Sequence, residues 1–300
     1  MGAVAVLLAS SGCHPLPPGT LPAAPMMPPS LRVPALTGAR LVPVQGRTAV
    51  LAEDFARPRI GPDRRWGWKS GAYPDCPTNP ADFKLDRLTR SALATADGVL
   101  TVTATPQQAA ATAQAERWRT GLVSTGDTCA SGGNGFQVRT GDVVAARVRL
   151  PQTTSGAWPG IWTWRAGGNE IDLFEWHADR PDTLEFANHT RDHILGRAGT
   201  GMFWTWPGIR PGRWLDVAVR LGARRVTWYV GLPPGPLRAV HGDERGVGPD
   251  FHAHLAAGLS IDDGRLHARP TGPRPITFRI ASLTVHRSGQ APRSRPDPLR

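Results

Sequence analysis

Three carboxylates fall within six residues, Glu170-Ile-Asp172-Leu-Phe-Glu175, in a stretch that otherwise reads as a strand. Carboxylates are depleted in strands, so such a cluster calls for a chemical reason. Side chains alternate along a strand, which puts Glu170 and Asp172 on one face and Ile171 and Leu173 on the other. Glu175 has the wrong parity for the acid face. One β-bulge after Asp172 restores it, and bulges commonly re-aim side chains at active sites. Retaining glycoside hydrolysis needs such a set: two carboxyl groups about 5–5.5 Å apart, one the nucleophile and one the acid/base. Same-face positions on a strand lie about 6–7 Å apart, so Glu170 and Glu175 come within range once their side chains converge. Crowded negative charge raises one pKa and keeps an acid protonated near neutral pH. A solvated edge strand, or a site for a hard cation such as calcium, would use the same residues.

Aromatic residues favour the sugar reading. The neighbouring run Trp158-Pro-Gly-Ile-Trp162-Thr-Trp164 places Trp162 and Trp164 on one strand face, and Trp176 follows the acids directly. Sugar rings present apolar faces that stack on such rings. Eleven tryptophans against two tyrosines is a skewed usage that core packing alone does not require.

The elements that must carry these residues are short strands. Thirty prolines and 34 glycines disfavour long helices, and apolar residues make up 40% of the chain, enough for a substantial core. Strand-like stretches run over 99–104, 136–138, 143–150, 160–164, 170–176, 183–188, 214–221, 225–230 and 276–286, separated by Gly- and Pro-containing turns. The stretch 107–116 reads as a helical turn or a loop. An all-β sandwich of two antiparallel sheets follows.

The runs GAWPGIWTW and GGNEIDLFEW resemble glycoside hydrolase family 16, the laminarinase-type β-glucanases, which carry Glu-x-Asp-x-x-Glu on a bulged strand after a Gly-x-Trp-Pro-x-x-Trp stretch. Supporting segments cover most of the domain, from Leu51–Phe55 to Ile276–His286. The resemblance implies a concanavalin A-like β-jelly roll with a long cleft across one sheet. By motif position it makes Glu170 the nucleophile, Asp172 the assisting carboxylate and Glu175 the acid/base. Trp162, Trp164, Trp176, Asn188 and His189 would contact substrate. No cofactor is required, although many members hold a structural calcium partly through backbone oxygens. Two departures bear on the substrate: Tyr229-Val-Gly231 lacks the usual Asp-Gly turn, and 254–260 has small residues where glucanases often place Asn and aromatics. A β-1,3-glucan or a galactan is expected, cleaved internally by a monomer. A lectin-like binding module on the same sandwich competes with this reading, though a pure binder has no need of three crowded acids. A polysaccharide lyase would need a Tyr/His base, and Tyr73 and Tyr229 sit in no such motif.

The N-terminus addresses localisation. A short apolar run followed by LLASSGC resembles a bacterial lipoprotein signal ending at Cys13, which would be lipidated. No Lys or Arg precedes the run, and Ser10 stands where an aliphatic residue is preferred. The run is too short to span a bilayer. The expected organisation is a signal over 1–13, a Pro-rich linker over 14–47, a catalytic domain over 48–287 and a basic tail over 288–300. Export to an extracellular or cell-surface position would let Cys76 and Cys129 pair as a disulfide. The net charge is +11, nearly all of it arginine, with lysine only at Lys69 and Lys84. The arginines are scattered, and no nucleic-acid motif accompanies them. They read as surface charge, with a mild lean towards anionic surroundings.

Overall fold

The structure is a computed structural model describing residues 44–57, 59–107, 117–166, 169–189, 191–192, 196–197 and 200–289. The expected signal, Cys13, most of the linker, the 107–116 stretch apart from Gln107, and nearly all of the tail lie outside these residues. Strands occur in the order β1 (Arg47–Glu53), β2 (Asp86–Leu88), β3 (Leu93–Ala96), β4 (Val99–Pro106), β5 (Trp118–Thr120), β6 (Leu122–Ser124) and β7 (Gln137–Arg139). There follow β8 (Val143–Arg149), β9 (Ala157–Trp164), β10 (Glu170–Glu175), β11 (Thr183–His189), β12 (Arg191–Asp192) and β13 (Gly196–Arg197). The last are β14 (Thr200–Thr205), β15 (Trp214–Leu221), β16 (Val226–Gly231), β17 (Arg238–Asp243), β18 (His252–Ile261) and β19 (Ile276–Ser288). Helical structure among the described residues is confined to two 3-10 turns, Pro80–Asp82 and Arg90–Ala92.

Two large sheets form a β-jelly-roll sandwich, as expected. The ten-stranded sheet runs β17-β16-β15-β8-β19-β4-β5-β2, with β1 added on β19 and β3 on β4. The seven-stranded sheet runs β14-β11-β10-β9-β18-β6, with β7 added on β18. Pairing is antiparallel except for the short edge pair β2 with β5, which is parallel. Alternation explains the core: in β8, Val144, Ala146 and Val148 are buried while Arg147 is exposed. The inner faces meet through Phe174 and Phe278, 6.2 Å apart edge-on, and through Phe186 and Trp228, 6.0 Å apart. Such aromatic pairs across a sandwich add about 0.5–1.5 kcal/mol beyond their buried area.

Strand β18 lies between β9 and β6, so a segment some hundred residues after the Trp-rich strand completes the sheet beside it. Its small residues stand opposite the tryptophans and glycine of β9: Ala256 faces Trp162, and Gly258 faces Gly160. Strands β14 and β17 had no clear sequence pattern. Their burial does not alternate cleanly, because both lie at sheet edges.

Candidate active site

The acid strand carries the bulge that its spacing requires. Pairing of β10 with β11 slips between Asp172 and Glu175, and pairing with β9 slips between Asp172 and Phe174. Ile171, Leu173 and Phe174 are all fully buried, while Glu170 and Glu175 are half-buried on the other side. The bulge therefore sends two consecutive apolar residues, Leu173 and Phe174, into the core and returns Glu175 to the face of Glu170 and Asp172. The opposing sheet pins it: the Trp228 indole N–H donates to the backbone oxygen of Asp172 at 2.7 Å. That bond satisfies a buried carbonyl at the irregular point of the ladder. Gly160 stands opposite Glu175, and a Cβ there would lie 3.5 Å from Glu175 Cγ.

Each acid has a distinct environment. Asp172 is only 4% exposed. Burial, then the charges of Glu175 and Glu185, push its carboxyl well above the usual range. His189 stands opposite Glu170, and its Nε2 lies 3.4 Å from Asp172 Oδ2. Glu175 Oε1 accepts a hydrogen bond from the Trp158 indole N–H at 2.8 Å. Lys84 Nζ sits 4.2 Å from the centre of the Trp158 ring and 2.7 Å from Asp82 Oδ2. Burial works against the charge of Lys84, but Tyr73, Asp82, Glu175 and Asp86 outweigh it and hold the ammonium above its ordinary pKa.

A fourth acid joins the row. Glu185 faces Glu175 across the β10–β11 ladder. Burial, then Glu175, push it up to about 7. It has the same strand parity as His189, so the alternation of β11 carried the signal. Phe203 on β14 stands opposite Glu185, with the Arg180 guanidinium 5.2 Å from its ring. Trp158 likewise shares parity with Trp162 and Trp164, and it reaches Glu175 directly.

The aromatic face divides. Trp162 stands opposite Asp172, is half-buried, and packs against the small cluster of Tyr73, Leu88, Leu122 and Ala256. Trp164 is half-buried and donates to Asp127 Oδ2 at 2.9 Å. Both are on the acid face. Trp176 is not: it is fully buried in the core, with its indole N–H on the Pro181 carbonyl. Asn188 also points inward, fully buried, donating to Asp243 Oδ2 and the Gly246 carbonyl. These two expectations of substrate contact are corrected. Each residue directly follows or precedes an outward one, and strand alternation turns it into the sandwich.

Cys76 and Cys129 form a disulfide with Cα atoms 6.3 Å apart. It ties the 70–79 and 126–135 loops, where Gly71 N also donates to the Asp127 carbonyl beside Trp164. Among the described residues, no group of three or more His, Cys, Asp or Glu is arranged to hold a metal ion. A cavity of about 610 Å³ opens between 152–155 and 270–277, on other residues than the acid row.

No family model matches the sequence, and no curated protein matches it. Solved structures do. The laminarinase catalytic domain from Thermotoga maritima superposes with a TM-score of 0.63 at 17% identity, over 81% of this chain and 99% of that one. LamA from Zobellia galactanivorans, solved with laminaritriose and laminaritetraose, gives 0.62 at 14% identity, over 80% and 99%. SCLam, a non-specific endo-β-1,3(4)-glucanase of family GH16, gives 0.57 at 17% identity, over 81% and 92%. This chain has the jelly-roll fold of the endo-β-glucanases.

Proposed function

We propose that the protein is a retaining endo-β-glycosidase acting on a β-1,3-glucan-like polysaccharide or a galactan. The observation that carries this reading is the bulge, which brings Glu170, Asp172 and Glu175 to one face beside Trp158, Trp162 and Trp164. Glu170 attacks the anomeric carbon and forms a glycosyl-enzyme ester. Glu175 protonates the departing oxygen, then takes a proton from the water that hydrolyses the ester. With Oε1 of Glu175 held by Trp158, the other oxygen carries that proton. Asp172, whose carboxyl burial and the neighbouring Glu175 and Glu185 push upward, lies between the two and shares a proton with them as charge moves. The three glucanases named above share the fold and support a β-glucan as the first substrate to test.

A lectin-like module is the competing class. Purified protein incubated with laminarin, mixed-linkage glucan and galactan, with reducing ends followed over time, separates the two. Reducing-end release with β-anomers appearing first by NMR supports retaining hydrolysis. Saturable binding without release would leave a binding module. The disulfide suits an oxidising compartment and supports export. We propose lipidation at Cys13 as the anchor, tested by palmitate labelling with Cys13→Ala as control.

A further inference from the structure

Four titratable side chains outside the acid row converge behind Trp158. His177 Nδ1 lies 3.3 Å from Asp262 Oδ1, and both side chains are at most 5% exposed. The His177 ring stacks on His267, with centroids 3.5 Å apart and planes 10° from parallel. His267 Nδ1 lies 3.0 Å from Asp179 Oδ1, and the same carboxylate accepts the Ala268 N–H at 2.9 Å. On its other side the cluster meets Trp158, whose ring centroid is 4.7 Å from that of His177. Backbone bonds fix this platform to the start of β9. Ala178 N donates to the Ala157 carbonyl, Asp262 N to Gly156, and Gly156 N to Ala268. Two segments distant in sequence, 177–179 and 262–268, thus lock around the residue whose indole N–H holds Glu175 Oε1.

We propose that His177, oriented by Asp262 and backed by the His267–Asp179 pair, is a positioning residue for the acid/base, acting through Trp158. The inference rests on the reading of Glu175 as the acid. The chemistry needs such a device because proton transfer requires the carboxyl oxygen within about 3 Å of the leaving oxygen, and a misplacement of about 1 Å costs on the order of 100-fold in rate. Trp158 is half-buried at the surface of the sheet, so its ring plane depends on the groups packed against it: His177, whose ring lies tilted by 43°, and the Lys84 ammonium 4.2 Å from the ring centre. The buried imidazole supplies a flat wall that cannot rotate, because Asp262 holds one edge and His267 covers a face. Burial pushes His177 down to about 4 and Asp262 up to about 7, so near neutral pH the wall is an uncharged ring.

The test uses His177→Ala, His177→Phe and Glu175→Gln in the full-length protein, with two readouts. The first needs no substrate: solvent exchange of the Trp158 indole N–H by NMR of ¹⁵N-tryptophan-labelled protein, assigned with Trp158→Phe. His177→Ala should speed that exchange at least about tenfold, and His177→Phe, which keeps a flat ring, should restore it. The second compares kcat/KM, which reports only the steps up to the glycosyl-enzyme, for laminarin and for 2,4-dinitrophenyl β-laminaribioside, whose leaving group needs no proton. His177→Ala should lose about 10- to 100-fold on laminarin and stay within about threefold on the aryl glycoside. Unchanged exchange in His177→Ala, or exchange not restored by phenylalanine, overturns the proposal. Equal losses on both glycosides for His177→Ala alone also overturn it. If Glu175→Gln itself falls equally on both, the acid assignment fails, and the exchange data still decide whether His177 positions Trp158.

Discussion

Replacing Glu185 by glutamine isolates the electrostatic strain in the acid row. Glu185 faces Glu175 across the ladder, and burial with that neighbour moves its carboxyl from 4.5 to about 7. The folded protein therefore binds this proton more tightly than the unfolded chain does. The stability linked to it is fully present below about pH 4.5 and is lost as pH rises through about 7. Applying the linkage relation to those two values between pH 5 and 8 gives a loss of about 2.5 kcal/mol. Glutamine is close in shape to the protonated acid and cannot ionise. Urea unfolding followed by tryptophan fluorescence, stepped from pH 5 to pH 8 at low salt, reads the effect. The advantage of Glu185→Gln over the parent should grow by about 2.5 kcal/mol from pH 5 to pH 8. A difference that stays flat across this range would show that Glu185 titrates as an exposed glutamate and does not feel Glu175. A variant weaker at every pH by the same amount would show instead that the carboxylate makes a bond glutamine cannot replace.

Other expectations follow from the same geometry. Trp228→Phe removes the indole N–H on the Asp172 carbonyl and should cost about 1–3 kcal/mol in unfolding free energy, with loss of turnover as the bulge relaxes; unchanged stability and turnover would mean that the bulge holds itself. Glu170→Ala with azide should give the inverted glycosyl azide, and Glu175→Ala the retained one; swapped products would reverse the two roles. Trp162→Ala should weaken oligosaccharide binding by about 1–3 kcal/mol, taking base–aromatic stacking as the nearest analogue, whereas undiminished affinity in calorimetry would make Trp162 a packing residue of the Tyr73 cluster. Cys76→Ser with Cys129→Ser opens a loop with a sequence separation of 53, for which chain entropy predicts a loss of about 4 kcal/mol, measurable as a lower urea midpoint.

Much of the site was legible because strand chemistry is local. The acids at 170, 172 and 175 cannot share a face on a regular strand, so their spacing alone called for the bulge found in the β10 register. Trp162 and Trp164 followed from the same two-residue period, and the disulfide from cysteine usage. Trp176 and Asn188 were misplaced by nearness in sequence, when parity turns both inward. Glu185 and Trp158 have the right parity, but a lone acid or tryptophan on a strand carries no mark of its neighbours, so the sequence does not single them out. What no local pattern could supply is contact between distant segments. Trp228 reaches the Asp172 carbonyl from the other sheet, and His177 meets Asp262 and His267, which share one much later stretch, behind Trp158. The sequence determines which side chains each strand presents and on which face. Only the closing of the sandwich decides what stands behind them, because burial, stacking and shifted proton affinities arise between residues that the chain itself keeps far apart.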